Sequence, residues 1–159
     1  MIQLPSIYAA AKIWHAPKFQ QLRDAYDFDI VSRWIDYGEN DPIVQQKDVL
    51  WQHCLEDVLK ADIMVIYCED MAEEMRGVIM EAGHAMAVGH RIYCINTCDS
   101  FSPSPISDVA FTHHPLWNFI RDENRLIDPL EGFSVAVSEE MGVATAEANV
   151  IPGPWSKLL

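Results

Sequence analysis

Positive charge is what this chain has least of. Across 159 residues, 11 lysines and arginines face 24 aspartates and glutamates, a formal net charge of −13, with a sequence pI near 4.6. A surface that acidic repels polyphosphates, which argues against duplex DNA, RNA and anionic membranes as partners. A small anionic ligand stays open, because a local pocket overrides the mean field. Long apolar runs are missing too: none approaches the ~20 residues of a membrane span. Met1-Ile2-Gln3-Leu4-Pro5 has no basic region, so no signal peptide is expected. CxxC pairs are also absent. Cys54, Cys68, Cys94 and Cys98 sit in aliphatic or aromatic neighbourhoods, which predicts buried free thiols in a reducing cytoplasm. Without zinc-type ligand spacing, neither a metal nor another cofactor is expected.

What is present suffices for a packed core. Half of the chain is hydrophobic and 22% is charged, and the length suits one domain. Residues 6–11 read as a buried first strand, 18–25 as a short helix, and 28–31 as a short β-compatible segment. The pattern fails over 32–42, which reads as a loop. Helical spacing of Val44, Val49, Leu50, Cys54, Val58 and Leu59 predicts a helix over 43–60. Residues 62–68 are a continuous apolar run, the mark of a strand covered on both faces. An acidic loop over 69–74 leads to a helix over 75–88, closed by Gly89 as a C-terminal cap. A strand is predicted over 91–96, a Ser/Pro loop over 100–107, a short strand over 109–112, a helix after Pro115 and a terminal helix over 130–150. This alternation predicts one α/β domain over 1–150. The expected architecture is a three-layer Rossmann-like (flavodoxin-like) fold with a parallel sheet of about five strands. Residues 151–159 form a Pro/Gly-rich tail whose Trp155 would anchor it to the body or to a neighbouring subunit.

Glu81 stands out chemically. In Gly77-Val78-Ile79-Met80-Glu81-Ala82-Gly83-His84-Ala85-Met86-Ala87 nearly every neighbour is small or apolar. A helix apolar on most sides is buried, and a buried carboxylate is costly unless it is paired or used. An ion pair to His84, Arg76 or Arg91 would make it structural; without one it is a functional group. Gly83 and Ala85 add no bulk, leaving space for something to approach the helix closely.

Several segments in this order resemble the nucleoside 2-deoxyribosyltransferase superfamily, which includes nucleoside deoxyribosyltransferases, nucleotide N-glycosidases and phage proteins. They are Ser6-Ile7-Tyr8, Lys60-Ala61-Asp62-Ile63-Met64-Val65, the run from Arg76 to Ala85, and Gly89-His90-Arg91-Ile92. The resemblance spans residues 7–95. It implies cleavage or transfer of the N-glycosidic bond of a nucleoside or nucleotide, with Glu81 as the nucleophile attacking the anomeric carbon. A carboxylate suits an oxocarbenium-like centre both as nucleophile and as electrostatic stabiliser. Tyr8 falls on the tyrosine that would hold and orient it.

One departure concerns the family's aspartate on the helix before Asp62. That position is Cys54 here, and a thiol with a pKa near ~8.5 carries no carboxylate charge at neutral pH. Asp57, one turn later, and the adjacent His53 are the replacements on offer. The loop after the first strand also departs from the family; there Ala10, Lys12 and Trp14 would contact substrate, as would Gly77, and His113 or His114, just after the last predicted strand, would open at the same edge. Lys12 and His15 would hold a phosphate. Trp14 would stack on a base or else belong to the core. The expected partner is a small nucleoside or nucleotide, and the expected assembly a homo-oligomer. The competing reading is a nucleotide-binding module of the same fold with little or no turnover, because the aspartate is missing.

Overall fold

The computed structural model describes residues 5–26, 28–68, 74–96 and 114–120, with backbone alone at 26, 95, 96 and 118–120. Its elements, in chain order, are β1 (Ile7–Ala10), α1 (Ala16–Tyr26), α2 (Pro42–Gln45), α3 (Lys47–Lys60), β2 (Ile63–Cys68), α4 (Arg76–Ala87), β3 (Arg91–Asn96) and β4 (Trp117–Ile120). The four strands form one sheet in the order β1-β2-β3-β4, with every pairing parallel. The fold is therefore α/β, in a layout compatible with a Rossmann-like arrangement.

The sheet has four strands among the described residues, not about five, and the difference has a physical cause. The segment predicted over 28–31 does lie beside β1, on the edge away from β2, but it pairs only through the parallel bridge Ile7–Ile30. The Ile7 amide donates to Asp29 O (2.8 Å) and the Val31 amide donates to Ile7 O (3.0 Å). Beyond that point side chains replace the ladder. The Ala9 amide donates to Ser32 Oγ at 2.7 Å, and Ala9 O accepts from Ser32 Oγ (3.2 Å) and from Trp34 Nε1 (2.7 Å). Buried backbone groups must find partners, and these two side chains provide them once the chain turns into the 3-10 turn Arg33–Asp36.

This edge segment precedes β2 in sequence but lies outside β1 in space, so the chain reverses its direction of travel across the sheet at β1. Right-handed crossovers then put α1 on one face and both α3 and α4 on the other. Tyr67 of β2 meets Phe19 of α1 and His15 edge-on, at ring-centroid distances of 6.1 and 5.0 Å. On the other face, Tyr8 is coupled to Cys54 of α3 and Glu81 of α4, and α3 and α4 pack on each other. The core lies on both sides of strands that are wholly buried in β1 and β2.

Other expectations shift by short distances. The single helix expected over 43–60 is split at Gln46 into α2 and α3. Asp41 caps α2 by accepting the Ile43 amide, with Pro42 at the first position. Gln46 Nε2 and Lys47 Nζ then donate to the Pro42 and Val44 carbonyls, closing that turn. The helix expected after Pro115 is instead β4, which lies parallel to β3. Trp117-Asn118-Phe119-Ile120 is rich in aromatic and β-branched residues, which suit the open side of β3. Gly89 closes α4 as expected, with φ +85; Gly89 N donates to Met86 O and His90 N to Ala85 O, the paired bonds of a Schellman motif. The loop over 100–107, the strand over 109–112, the helix over 130–150, the tail over 151–159 and Cys98 lie outside the described residues. No helix among the described residues is long and apolar enough to cross a membrane.

Ser32→Ala should test how β1 is held. It leaves the buried Ala9 amide without an acceptor, so a loss of about 1–3 kcal/mol is expected in urea denaturation. A change under about 0.5 kcal/mol, the size of an ordinary surface substitution, would show that the hydroxyl is dispensable.

Candidate active site

Three elements bring one polar side chain each to a common point inside the α3–α4 layer. β1 supplies Tyr8, which is 0% exposed. α3 supplies Cys54 and α4 supplies Glu81, each 8% exposed. Helical spacing explains why Glu81 points inward: it lies on the same stripe as Val78, Ala82 and Ala85, all buried. Burial pushes the Glu81 carboxyl up to about 7, while Tyr8 and Cys54 beside it pull the other way. Burial, then the charge on Glu81, pushes the Cys54 thiol up to about 12. The same two causes hold the Tyr8 phenol well above its ordinary 10. The Tyr8 hydroxyl is thus close enough to feel both neighbours, yet it has no hydrogen-bond partner of good geometry.

Glu81 has no counter-ion among the described residues. Arg76 reaches only Glu74, at 3.6 Å, and His84 keeps a buried Nε2 without a partner. The ion pair that would have made Glu81 structural is not formed there. Asp57 is the opposite case. Its carboxylate accepts from Arg33 Nε at 2.9 and 3.0 Å, from the Arg33 amide at 2.9 Å and from Lys60 Nζ at 3.0 Å. With the side chain 1% exposed, Asp57 ties the 3-10 turn to α3 and has no free valence for a proton-transfer role beside Glu81. His53, the other replacement considered, is engaged with Tyr37 Oη through Nδ1 at 2.8 Å.

The remaining expected site residues are spread around this point rather than gathered at it. Ala10 is the buried last residue of β1. Trp14 is 56% exposed, so it is not a core residue, and Lys12 Nζ lies 5.9 Å from its ring centroid. His15 is buried against Tyr67 rather than open to a phosphate. Gly77 is exposed on the first turn of α4, with open space where a Cβ would stand. Gly83 is likewise exposed and open, so no part of the described chain uses the room it leaves. His113 lies outside the described residues, as does the acidic stretch over 69–73. No cluster of three or more His, Cys, Asp or Glu able to hold a metal ion occurs among the described residues.

Two features escaped the sequence reading. Asp62, part of the resembling segment, sits at the opposite end of β2 from the ligand edge, where Ser6 donates to Oδ2 from its amide and its hydroxyl, each at 2.8 Å. These bonds lower its pKa and make it a clasp between β1 and β2. Arg33 is the second, bridging Asp57 and Glu56. Its signal was available: it is the only lysine or arginine between Asp24 and Lys47, in a stretch crowded with acids.

The two carboxyls should respond oppositely to amidation. Glu81 holds its proton more tightly folded than unfolded, so its protonated form favours the fold below pH ~4.5, and that contribution is lost as pH rises through about 7. At ~1.4 kcal/mol per unit, the loss amounts to about 3 kcal/mol. Glu81→Gln should therefore melt like wild type near pH 5 and above it at pH 8. A variant less stable than wild type at both pH values would point to a hidden cation partner. Asp57→Asn should cost about 2–4 kcal/mol at pH 7, below the full range for a buried pair because Arg33 is 35% exposed. Unchanged stability would remove the structural assignment of Asp57.

No protein-family model matches the chain, and no curated protein and no solved structure matches it. The fold and the Tyr8–Cys54–Glu81 cluster are thus what any functional assignment has to rest on.

Proposed function

We propose that this chain cleaves or transfers the N-glycosidic bond of a small nucleoside or nucleotide, with Glu81 as the nucleophile. The observation that carries the reading is a buried carboxyl that has no counter-ion among the described residues, beside a buried tyrosine hydroxyl that has no hydrogen-bond partner among them. Its ionised form would attack the anomeric carbon as the base nitrogen leaves with the bonding pair and gains a proton. Water, or a second base, would then displace Glu81 from the glycosyl ester. Tyr8 would hold the carboxylate in line. The three-layer Rossmann-like arrangement supports this: the order edge segment, β1, β2 puts a topological switch point between β1 and β2, where ligands of such sheets bind. The link bearing Lys12 and Trp14 leaves β1 at that edge.

A second reading has its own support. The Cys54 thiol stays neutral to about pH 12 and Asp57 is committed to Arg33 and Lys60. A site with one carboxyl in place of two suits a nucleotide-binding module with little turnover.

Chromatographic release of free base from a panel of nucleosides and nucleotides separates the two. On the first reading kcat/KM rises tenfold per pH unit up to about 7 and then levels, as the carboxyl ionises. Glu81→Gln should lose at least ~10³-fold, and Cys54→Asp should raise or reshape the activity. A Glu81→Gln protein that releases base at the wild-type rate ends the covalent mechanism. Ligands that raise the melting temperature with no release of base favour the module.

A further inference from the structure

Large apolar side chains left in water are concentrated on one part of the surface. Among the described residues they are Trp14, Leu59, Met80 and Val88, and three of these four belong to the α3–α4 pair. Met80 is the most open, at 63%. Single apolar residues are ordinary on a surface, whereas a group of them marks a contact. Asp57 faces the 3-10 turn from one flank of α3, and helical spacing puts Leu55 and Leu59 on the other flank, turned to α4. The bond between His90 Nε2 and Val58 O sets the C-terminal ends of the two helices level, so Leu59 and Val88 stand at the same end of the pair. Met80 follows about two turns back along α4. The outward face of α4 from Gly77 to Val88 carries no lysine, arginine, aspartate or glutamate, because Glu81 points inward. That face is also shaped: Gly77 and Gly83 lie three residues either side of Met80, both exposed, with open space where a Cβ would stand. Glycine inside a helix lowers its stability relative to alanine, and nothing in the described chain occupies the room these two leave. One helix thus presents a projecting side chain between two hollows.

We propose that a second copy of this chain docks on this face, helix pair against helix pair about a two-fold axis. An isologous contact needs a surface that fits itself, and here knob and hollow lie on one helix, so that Met80 of each copy enters the hollow beside Gly83 of the other. Charge selects the same occupant. Two molecules of net charge −13 meet only where neither presents charge, whereas a basic partner is drawn to the acidic remainder of the surface and gains nothing from a neutral face. The proposal is independent of the glycosidic reading. Two helices of this length side by side offer a footprint of about 18 Å by 20 Å. That is the small end of interface sizes, so the dimer dissociates on dilution in the micromolar range.

Sedimentation equilibrium of the full chain, from about 1 to about 300 μM, tests the proposal. Monomer should prevail at the low end and dimer at the high end. Raising NaCl from about 50 mM to about 0.5 M should tighten the dimer at least ~3-fold, because screening removes the repulsion between like-charged copies. Met80→Glu sets two like charges against each other near the axis, and Gly83→Gln fills the hollow. Each should weaken the dimer at least ~10-fold. Both side chains face solvent in the single chain, so in dilute solution Met80→Glu should melt close to wild type. Gly83→Gln should melt above it, since glutamine is the better helix former. A wild type that stays monomeric at about 300 μM, a dimer that loosens with salt, or a dimer that neither variant weakens overturns the proposal, and the first two results depend on no variant. A dilute Met80→Glu protein that melts far below wild type shows the face covered by the chain itself, which also overturns it.

Discussion

Everything at the candidate site depends on how β1 is held from both sides. β1 is four residues long and wholly buried, so each of its amides and carbonyls needs a partner inside the protein. On one side β2 supplies a regular parallel ladder from Ile7 to Ala10. On the other, a single bridge at Ile30 is followed by Ser32 and Trp34, whose side chains close on Ala9. Because that second edge is completed by side chains, the chain is free to leave the sheet at Val31 and enter the turn that carries Arg33. Tyr8 lies between these constraints, so its ring has no freedom to follow a ligand. Whatever binds must fit a fixed hydroxyl.

The placement of charge follows a similar division. Two carboxyls lie deep in the α3–α4 layer, and the chain has treated them differently. Asp57 receives a guanidinium, an ammonium and a backbone amide, which suits a group whose work is to hold a turn against a helix. Glu81 has a phenol and a thiol beside it, neither of which neutralises it. In a chain so short of cations, using two of them on one aspartate while, among the described residues, a nearby glutamate goes without is a choice that stability alone does not explain. Paired buried ions anchor structure; an unpaired one keeps its reactivity and its proton affinity.

Much of this was legible in the residues, for reasons that also explain what was not. The apolar runs of β2 and β3 and the Gly89 cap were readable because burial on both faces and a left-handed residue leave local marks. The isolation of Glu81 among small and apolar neighbours marks it in the sequence itself. Cys54 could be aligned with it only through the resemblance, since no local pattern says that a thiol on one helix meets a carboxyl on the next. Asp57 looks like a replacement acid in the sequence because its partner Arg33 is 24 positions away, and long-range pairing leaves no trace in periodicity. The failure at β4 was of another kind: Pro115 suggested a helix start, but the open side of β3 decided the outcome.

The end of α4 carries a mechanical implication. The left-handed Gly89 turns the chain so that His90 Nε2 meets Val58 O of α3 at 3.1 Å. One imidazole thereby latches the C-terminal ends of both helices, and on α4 it does so beyond a helix end that lies six residues, or about 9 Å of helical rise, from Glu81. Rotating α4 about its axis to move Glu81 away from Cys54 would drag that latch with it. The helix pair therefore behaves as a single torsion bar clamped at one end, and an isotopic label on the His90 ring is a remote gauge of any twist imposed at Glu81.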